Sequence, residues 1–240
     1  MSFDPYEFDR SYVPEGQMET LGQYTSKTFL WMVLGLMITF GVAIVCWMTN
    51  ATIYALVYIP YIHLIVLIAT LALSVTLSVR IERMSVGSAK AIFVAFSALF
   101  GFTMSIYLLI FELSSVIFVF LATAVYFGIL AAYGHFTHRD LGNIGPILVS
   151  GLIFLILFQI ICMFIPGFTM LDRMVCLAGI AIFLGYTAYD TQKIKAFYTY
   201  YSGYPEMLEK ASIFSALQLY LDFLNLFVYL LRFLGKSKRN

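Results

Sequence analysis

Seven long apolar runs, at 28–49, 62–80, 89–111, 115–136, 146–166, 174–194 and 212–234, fill most of the 240-residue chain. A helix needs about 20 apolar residues to cross a hydrocarbon core of about 30 Å, and each run is close to that length. The breaks between them are chemically distinct. Asn50 to Tyr61 carries Asn, Pro and Tyr, as an interfacial turn would. Arg80-Ile81-Glu82-Arg83 closes the second run, and Glu112-Leu113-Ser114-Ser115 parts the third from the fourth. His138-Arg139-Asp140-Leu141-Gly142-Asn143 precedes the fifth, where Pro146 suits a helix start. Pro166-Gly167 ends it, Asp172-Arg173 opens the sixth, and Lys193 to Lys210 forms an aromatic-rich interfacial loop. The pattern predicts an all-α polytopic integral membrane protein, a bundle of seven transmembrane helices over 28–234. A polar, acidic N-terminal tail over 1–27 and a short basic tail over 235–240 flank it. The N-terminal tail has no basic start and no short apolar core, so it does not read as a cleavable signal peptide.

Composition agrees. The chain is 62% hydrophobic and 11% charged, with mean hydropathy +0.91, whereas a soluble domain carries about 25% charged residues. So few charges cannot cover a water-facing surface. A net charge of +1 gives no reason to expect nucleic acid as a partner. Cys46, Cys162 and Cys176 each sit inside an apolar run without metal-ligand spacing, and read as small packing residues.

Basic residues set the expected orientation. Arg10, Lys27, Arg80, Arg83, Lys90, Arg139, Lys193, Lys195 and Lys210 make nine on the N-terminal side; Arg173, Arg232, Lys236, Lys238 and Arg239 make five opposite. The N-terminus is therefore expected in the cytoplasm. A re-entrant last run would sharpen the split to thirteen against one. Its length, and the absence of internal Gly or Pro, favour a full span, so seven spans are kept.

Ionisable groups inside a bilayer are costly and need a reason. Two acids qualify, Asp190 near the end of the sixth run and Asp222 in the body of the seventh. At 100° per residue, Ser215, Gln218, Asp222, Asn225 and Tyr229 fall on one narrow face of an otherwise apolar helix. Such a stripe must turn toward other helices or water. The sixth run has a matching face of Gly179, Phe183, Tyr186 and Asp190, so the two acids are placed to meet. Two readings compete with that pairing. Asp190 lies three residues before Lys193, as in a local ion pair, and the two acids sit at different depths if both helices are full spans. Arg80, after Ser74, Thr76 and Ser78, either reaches into a helical cavity or snorkels outward as an anchor, and Arg83 competes for that role. His135 and His138 make a poor metal site without a third ligand. No nucleotide-binding or hydrolase signature is present, and neither acid has the flanking Gly of an intramembrane aspartyl protease, so the chain is not expected to be an enzyme.

Gly185-Tyr186-Thr187-Ala188-Tyr189-Asp190-Thr191-Gln192-Lys193-Ile194 and Leu219-Tyr220-Leu221-Asp222-Phe223-Leu224-Asn225-Leu226-Phe227 resemble the paired signatures of the Bax inhibitor family, the transmembrane Bax-inhibitor-motif proteins. Arg83-Met84-Ser85 and His138-Arg139-Asp140-Leu141 are similar to its bacterial members, and the likeness runs from about residue 20 to 235. Only Lys236, Lys238 and Arg239 stand where eukaryotic members carry a long basic tail, so the resemblance points to a prokaryotic protein of the inner membrane.

The resemblance implies a seven-helix bundle with the last helix central, acting as a pH-sensitive calcium leak. It implies that Asp190 and Asp222 form a hydrogen-bonded dyad engaged by an arginine of the second helix, here Arg80 by position. Tyr186, Ser215, Gln218 and Asn225 would line the path. Asp190 and Asp222 would also be transient calcium ligands, calcium being the permeant ion and no cofactor being expected. Two carboxylates in a low-dielectric pocket do not both ionise easily. Protonation would weaken an arginine tie, while full ionisation would leave hard oxygen ligands for Ca²⁺; which effect dominates is open at this point. The alternative function is a non-transporting regulator that binds another membrane protein, such as a membrane protease or a cell-death or stress factor, through the acidic tail.

Overall fold

The computed structural model describes residues 19–163 and 169–238. It is built of α1 (Leu21–Met48), α2 (Ala51–Tyr58), α3 (Ile62–Arg80), α4 (Val86–Ile110), α5 (Leu113–Phe136), α6 (Gly145–Met163), α7 (Thr169–Tyr201) and α8 (Pro205–Leu234). A one-turn 3-10 helix, Gly142–Ile144, leads into α6. All but the eight-residue α2 are long and apolar enough to cross a membrane, which gives seven spans. The acidic residues before Glu19, the break at Pro166-Gly167, Arg239 and the side chain of Cys162 lie outside the described residues.

Several helices outrun the apolar runs that announced them. α1 begins at Leu21, seven residues before 28, because Thr20 and Gln23 form a capping box: Gln23 N–H donates to Thr20 Oγ1 at 3.3 Å and Thr20 N–H to Gln23 Oε1 at 2.8 Å. The expected loop over 193–210 is mostly helix. α7 continues to Tyr201 and α8 starts at Pro205, whose missing N–H costs nothing in the first turn. Hydropathy marks only the part of a helix that lies in hydrocarbon, and these helices extend into the interface. Asn50 and Tyr61, at φ of 57° and 59°, bracket α2 and turn the chain at both of its ends.

α8 is the central helix. Of its apolar window 72% is buried, against 17–44% in the other six spans. It packs on α1, α4, α5 and α7, while α3 lies outside α4 and α6 outside α7. Between apolar helices in lipid there is little hydrophobic drive, so close packing and interhelical hydrogen bonds hold the bundle. Tyr220, fully buried on α8, is ringed edge-on by Phe93, Phe96 and Phe100 of α4, with centroids 5.7–6.2 Å away. Thr39 of α1 donates to the Ser97 carbonyl at 2.9 Å. Its 2.6 Å contact with Tyr220 Oη must then have the phenol as donor. About two turns earlier on α8, Ser212 meets Thr28 of α1 at 3.1 Å. At Gly134, α5 lies so close to the Ala188 carbonyl of α7 that any side chain would collide with backbone.

The C-terminal residues settle where α8 ends. Glu112 N–H donates to the Lys236 carbonyl at 2.9 Å and Lys238 N–H to the Ile110 carbonyl at 3.0 Å, beside the α4–α5 turn. The opposite end of the bundle holds the start of α1, where Tyr198 Oη donates to the Glu19 carbonyl at 2.9 Å. The last helix therefore runs the full height of the bundle and does not turn back.

Candidate functional site

α7 and α8 run antiparallel in one register, stepping by seven or eight residues. Phe197 meets Phe214 with centroids 6.0 Å apart, and Phe183 stacks on Tyr229 at 5.9 Å. Asp190 and Asp222 lie at the level between these two pairs, their carboxyl groups within hydrogen-bonding reach of each other. The difference in depth expected from the apolar runs disappears because α7 continues well past Asp190. Gly179 makes the seam tight: a Cβ there would stand 2.7 Å from the Tyr229 ring.

Both acids are buried, at 5% and 4% exposure. Asp190 Oδ1 and Asp222 Oδ2 have no hydrogen-bond donor among the described residues. Two carboxylates bond each other only when one carries a proton. The nearest cation is Lys193, with Nζ 3.6 Å from Asp190 Oδ1. It lies over the rings of Tyr189 and Phe197, 5.3 and 5.6 Å from their centroids, so aromatic faces on its own helix hold it in place. The local ion pair and the carboxylate pair, rival readings in the sequence, coexist. Tyr186 stands one turn before Asp190 on α7, its ring 5.9 Å from that of Phe183.

Arg80 is a correction. It is exposed at the last position of α3 and makes no hydrogen bond or ion pair to either acid among the described residues. The reason is helical rotation. Ser78, Ile81 and Glu82 face α8 across a small cavity of about 180 Å³, and at 100° per residue Arg80 points the other way. Buried Lys210 fixes this end of α3 instead, donating to the Glu82 and Met84 carbonyls at 3.3 and 3.2 Å.

The rest of the stripe is where the pattern placed it, facing neighbouring helices. Ser215 and Tyr229 are buried, and Gln218 and Asn225 are half-buried. Asn225 turns its amide back to the Leu221 carbonyl at 2.8 Å. Tyr229 Oη accepts from Gln159 of α6 at 2.6 Å. One further step along the stripe, Arg232 pairs with Asp172 at the start of α7 and lines a cavity of about 500 Å³ with Tyr107 and Thr103. Sequence reasoning used Arg232 only in the count of basic residues opposite the N-terminus; extending the stripe by three residues would have found it.

His138-Arg139-Asp140-Leu141 has a structural task. Gln192, two residues after Asp190, accepts from Leu141 N–H at 2.8 Å and donates to the Arg139 carbonyl at 2.7 Å. Asp140 Oδ1 accepts from Gly142 N–H at 2.8 Å, shaping the turn into α6. Among the described residues no three His, Cys, Asp or Glu side chains converge on a metal site.

The fold and this site define a polytopic α-helical membrane protein whose central helix pairs an acid with one on its antiparallel neighbour. Residues 21–239 match the family described as inhibitor of apoptosis-promoting Bax1, and the chain belongs to that Bax inhibitor family. An uncharacterized protein of Rickettsia prowazekii (strain Madrid E) is 36% identical over 220 residues, covering 92% of each chain. The inner membrane protein YbhL of Escherichia coli (strain K12) is 35% identical over 222 residues, 91% of this chain and 93% of YbhL. An uncharacterized protein of Deinococcus radiodurans is 34% identical over 226 residues, 92% of this chain and 95% of its own.

Proposed function

We propose that the protein is a leak pathway for Ca²⁺ through the bacterial inner membrane, gated by protons at Asp190 and Asp222. The observation that carries this reading is the meeting of two buried acids from antiparallel helices at the centre of the bundle, beside a single lysine. With one proton on the pair, the remaining carboxylate charge is balanced by Lys193 and the cluster is neutral. The shared proton then bonds α7 to α8 and the seam is closed. Full ionisation leaves an excess negative charge and full protonation an excess positive one. Either is unfavourable in a low-dielectric interior, so the closed arrangement is most stable at intermediate protonation. Ionised, the carboxylates offer hard oxygens to a divalent cation.

The test is Ca²⁺ flux into dye-loaded liposomes containing the purified protein, measured across pH. Flux that rises on both sides of a minimum supports the reading. Liposomes no leakier than protein-free ones at any pH would replace it with the non-transporting regulator. The basic residues, nine against five, and the name of the relative YbhL support an inner-membrane protein with a cytoplasmic N-terminus. Labelling of Arg83→Cys and Lys236→Cys by an impermeant thiol reagent in intact cells tests this, with only Lys236→Cys expected to react.

A further inference from the structure

We propose that a water-filled crevice beside α8, between α7 and the α3–α4 pair, leads ions to the Asp190–Asp222 seam. The ion-carrying role rests on the leak pathway proposed above; the presence of water does not. From Lys210 to Leu231 every residue of α8 is buried except Phe214, Gln218, Leu221, Asn225 and Val228. At 100° per residue these five and Arg232 fall on one line of the helix. The line lies opposite Phe223, which packs on Phe120 and Phe127 of α5. It is open because α1 closes on α4 and α5 on α7, whereas α4 and α7 form no packed seam.

Each end of the line opens into a cavity. Toward the C-terminus Arg232 lines the cavity of about 500 Å³, with Thr103 and Tyr107 of α4 and Asp172 of α7. At the other end Phe214 lines the one of about 180 Å³, with Ser78 of α3, Phe197 of α7 and Lys210. From Phe214 to Arg232 α8 rises about 27 Å, close to the whole hydrocarbon core of about 30 Å. The side chains along this path call for water. The Gln218 amide and the hydroxyls of Thr103 and Tyr107 have no hydrogen-bond partner among the described residues, and Asn225 bonds only through its amide N–H. Lipid chains would leave all of them unpaired at membrane depth, which is costly. Lys193, partly exposed, lies over the ring of Phe197, a wall of the smaller cavity. It brings the charge beside Asp190 to the edge of the crevice.

The experiment places single cysteines in the full chain in liposomes and measures their modification by a water-soluble cationic methanethiosulfonate. Peptide mass spectrometry reads each site apart from Cys46, Cys162 and Cys176. The thiolate is the reactive form, and an apolar environment holds the thiol protonated. Gln218→Cys, Asn225→Cys and Val228→Cys should therefore react on the order of tenfold faster than Leu71→Cys and Val75→Cys of α3, which are more exposed but face lipid. Modified Asn225→Cys protein should also lose most of its Ca²⁺ flux, because the added cation stands in the route. Rates on α8 no higher than on α3 overturn the crevice, since lipid then fills it. Unchanged flux after full modification at 225 overturns its role as the route. No flux from the unmodified protein, with the α8 rates still high, overturns the leak pathway and upholds the crevice.

Discussion

Asp190 on α7 and Asp222 on α8 occupy one level of an antiparallel seam, with Phe197 and Phe214 on one side and Phe183 and Tyr229 on the other. The aromatic pairs fix the register, so the acids meet through packing and not through their own attraction. The Lys193 ammonium stands at the same level, 3.6 Å from Asp190 Oδ1.

Asp190→Asn and Asp222→Asn should therefore each abolish the pH dependence of Ca²⁺ flux in liposomes, and the double variant should add little, because coupled groups act as one unit. If both single variants keep the wild-type pH profile, the sensor lies elsewhere.

Lys193→Met should shift the pH of minimum flux, since it removes the charge that balances the singly protonated pair. Arg80→Ala should leave the profile in place, because Arg80 faces away from the seam. Titrating both variants in the same flux assay separates a lysine-balanced pair from the arginine-tied one that family resemblance implies.

Gly134→Ala and Gly128→Ala, six residues apart on α5, should differ in sign. A Cβ at Gly134 would meet the Ala188 backbone, whereas one at Gly128 has no neighbour within 4 Å. The first should lose about 1–3 kcal/mol through overpacking; the second should gain about 0.5–1 kcal/mol from reduced chain freedom. Thermal unfolding in detergent, with both variants side by side, decides.

Tyr220→Phe should cost only about 0.6 kcal/mol, the typical worth of one interhelical hydrogen bond, since Thr39 keeps its bond to the Ser97 carbonyl. Tyr220→Ala should cost about 3–5 kcal/mol by emptying the space between Phe93, Phe96 and Phe100. Similar losses in the two would mean that the phenol, not the ring, holds α1 to α8.

The seven spans were legible because a bilayer imposes a length, and the central place of α8 because the stripe from Ser215 to Tyr229 could not face lipid. The bounds at 28, 194 and 212 fell short because capping at Thr20 and Pro205 lies outside the apolar window. Arg80 was misplaced for a different reason. Apolar content tells where α3 runs but not how it is rotated against α8. The docking of Gln192 on the Leu141 and Arg139 backbone was invisible, since main-chain partners leave no residue-type signature.

The burial of α8 also bears on how the protein is made. Of the seven spans it is the last to leave the ribosome, yet it is the one around which α1, α4, α5 and α7 are arranged. Until it arrives, the Asp190 face of α7 lacks its partner, and Thr39 and Thr28 keep only their bonds to the Ser97 and Tyr24 carbonyls. Insertion of α8, with an acid at mid-height, is then less a partition into lipid than a docking into a cleft already lined to receive it. Assembly of this fold thus turns on the arrival of its most buried span, and the Asp190–Asp222 seam comes into being only with it.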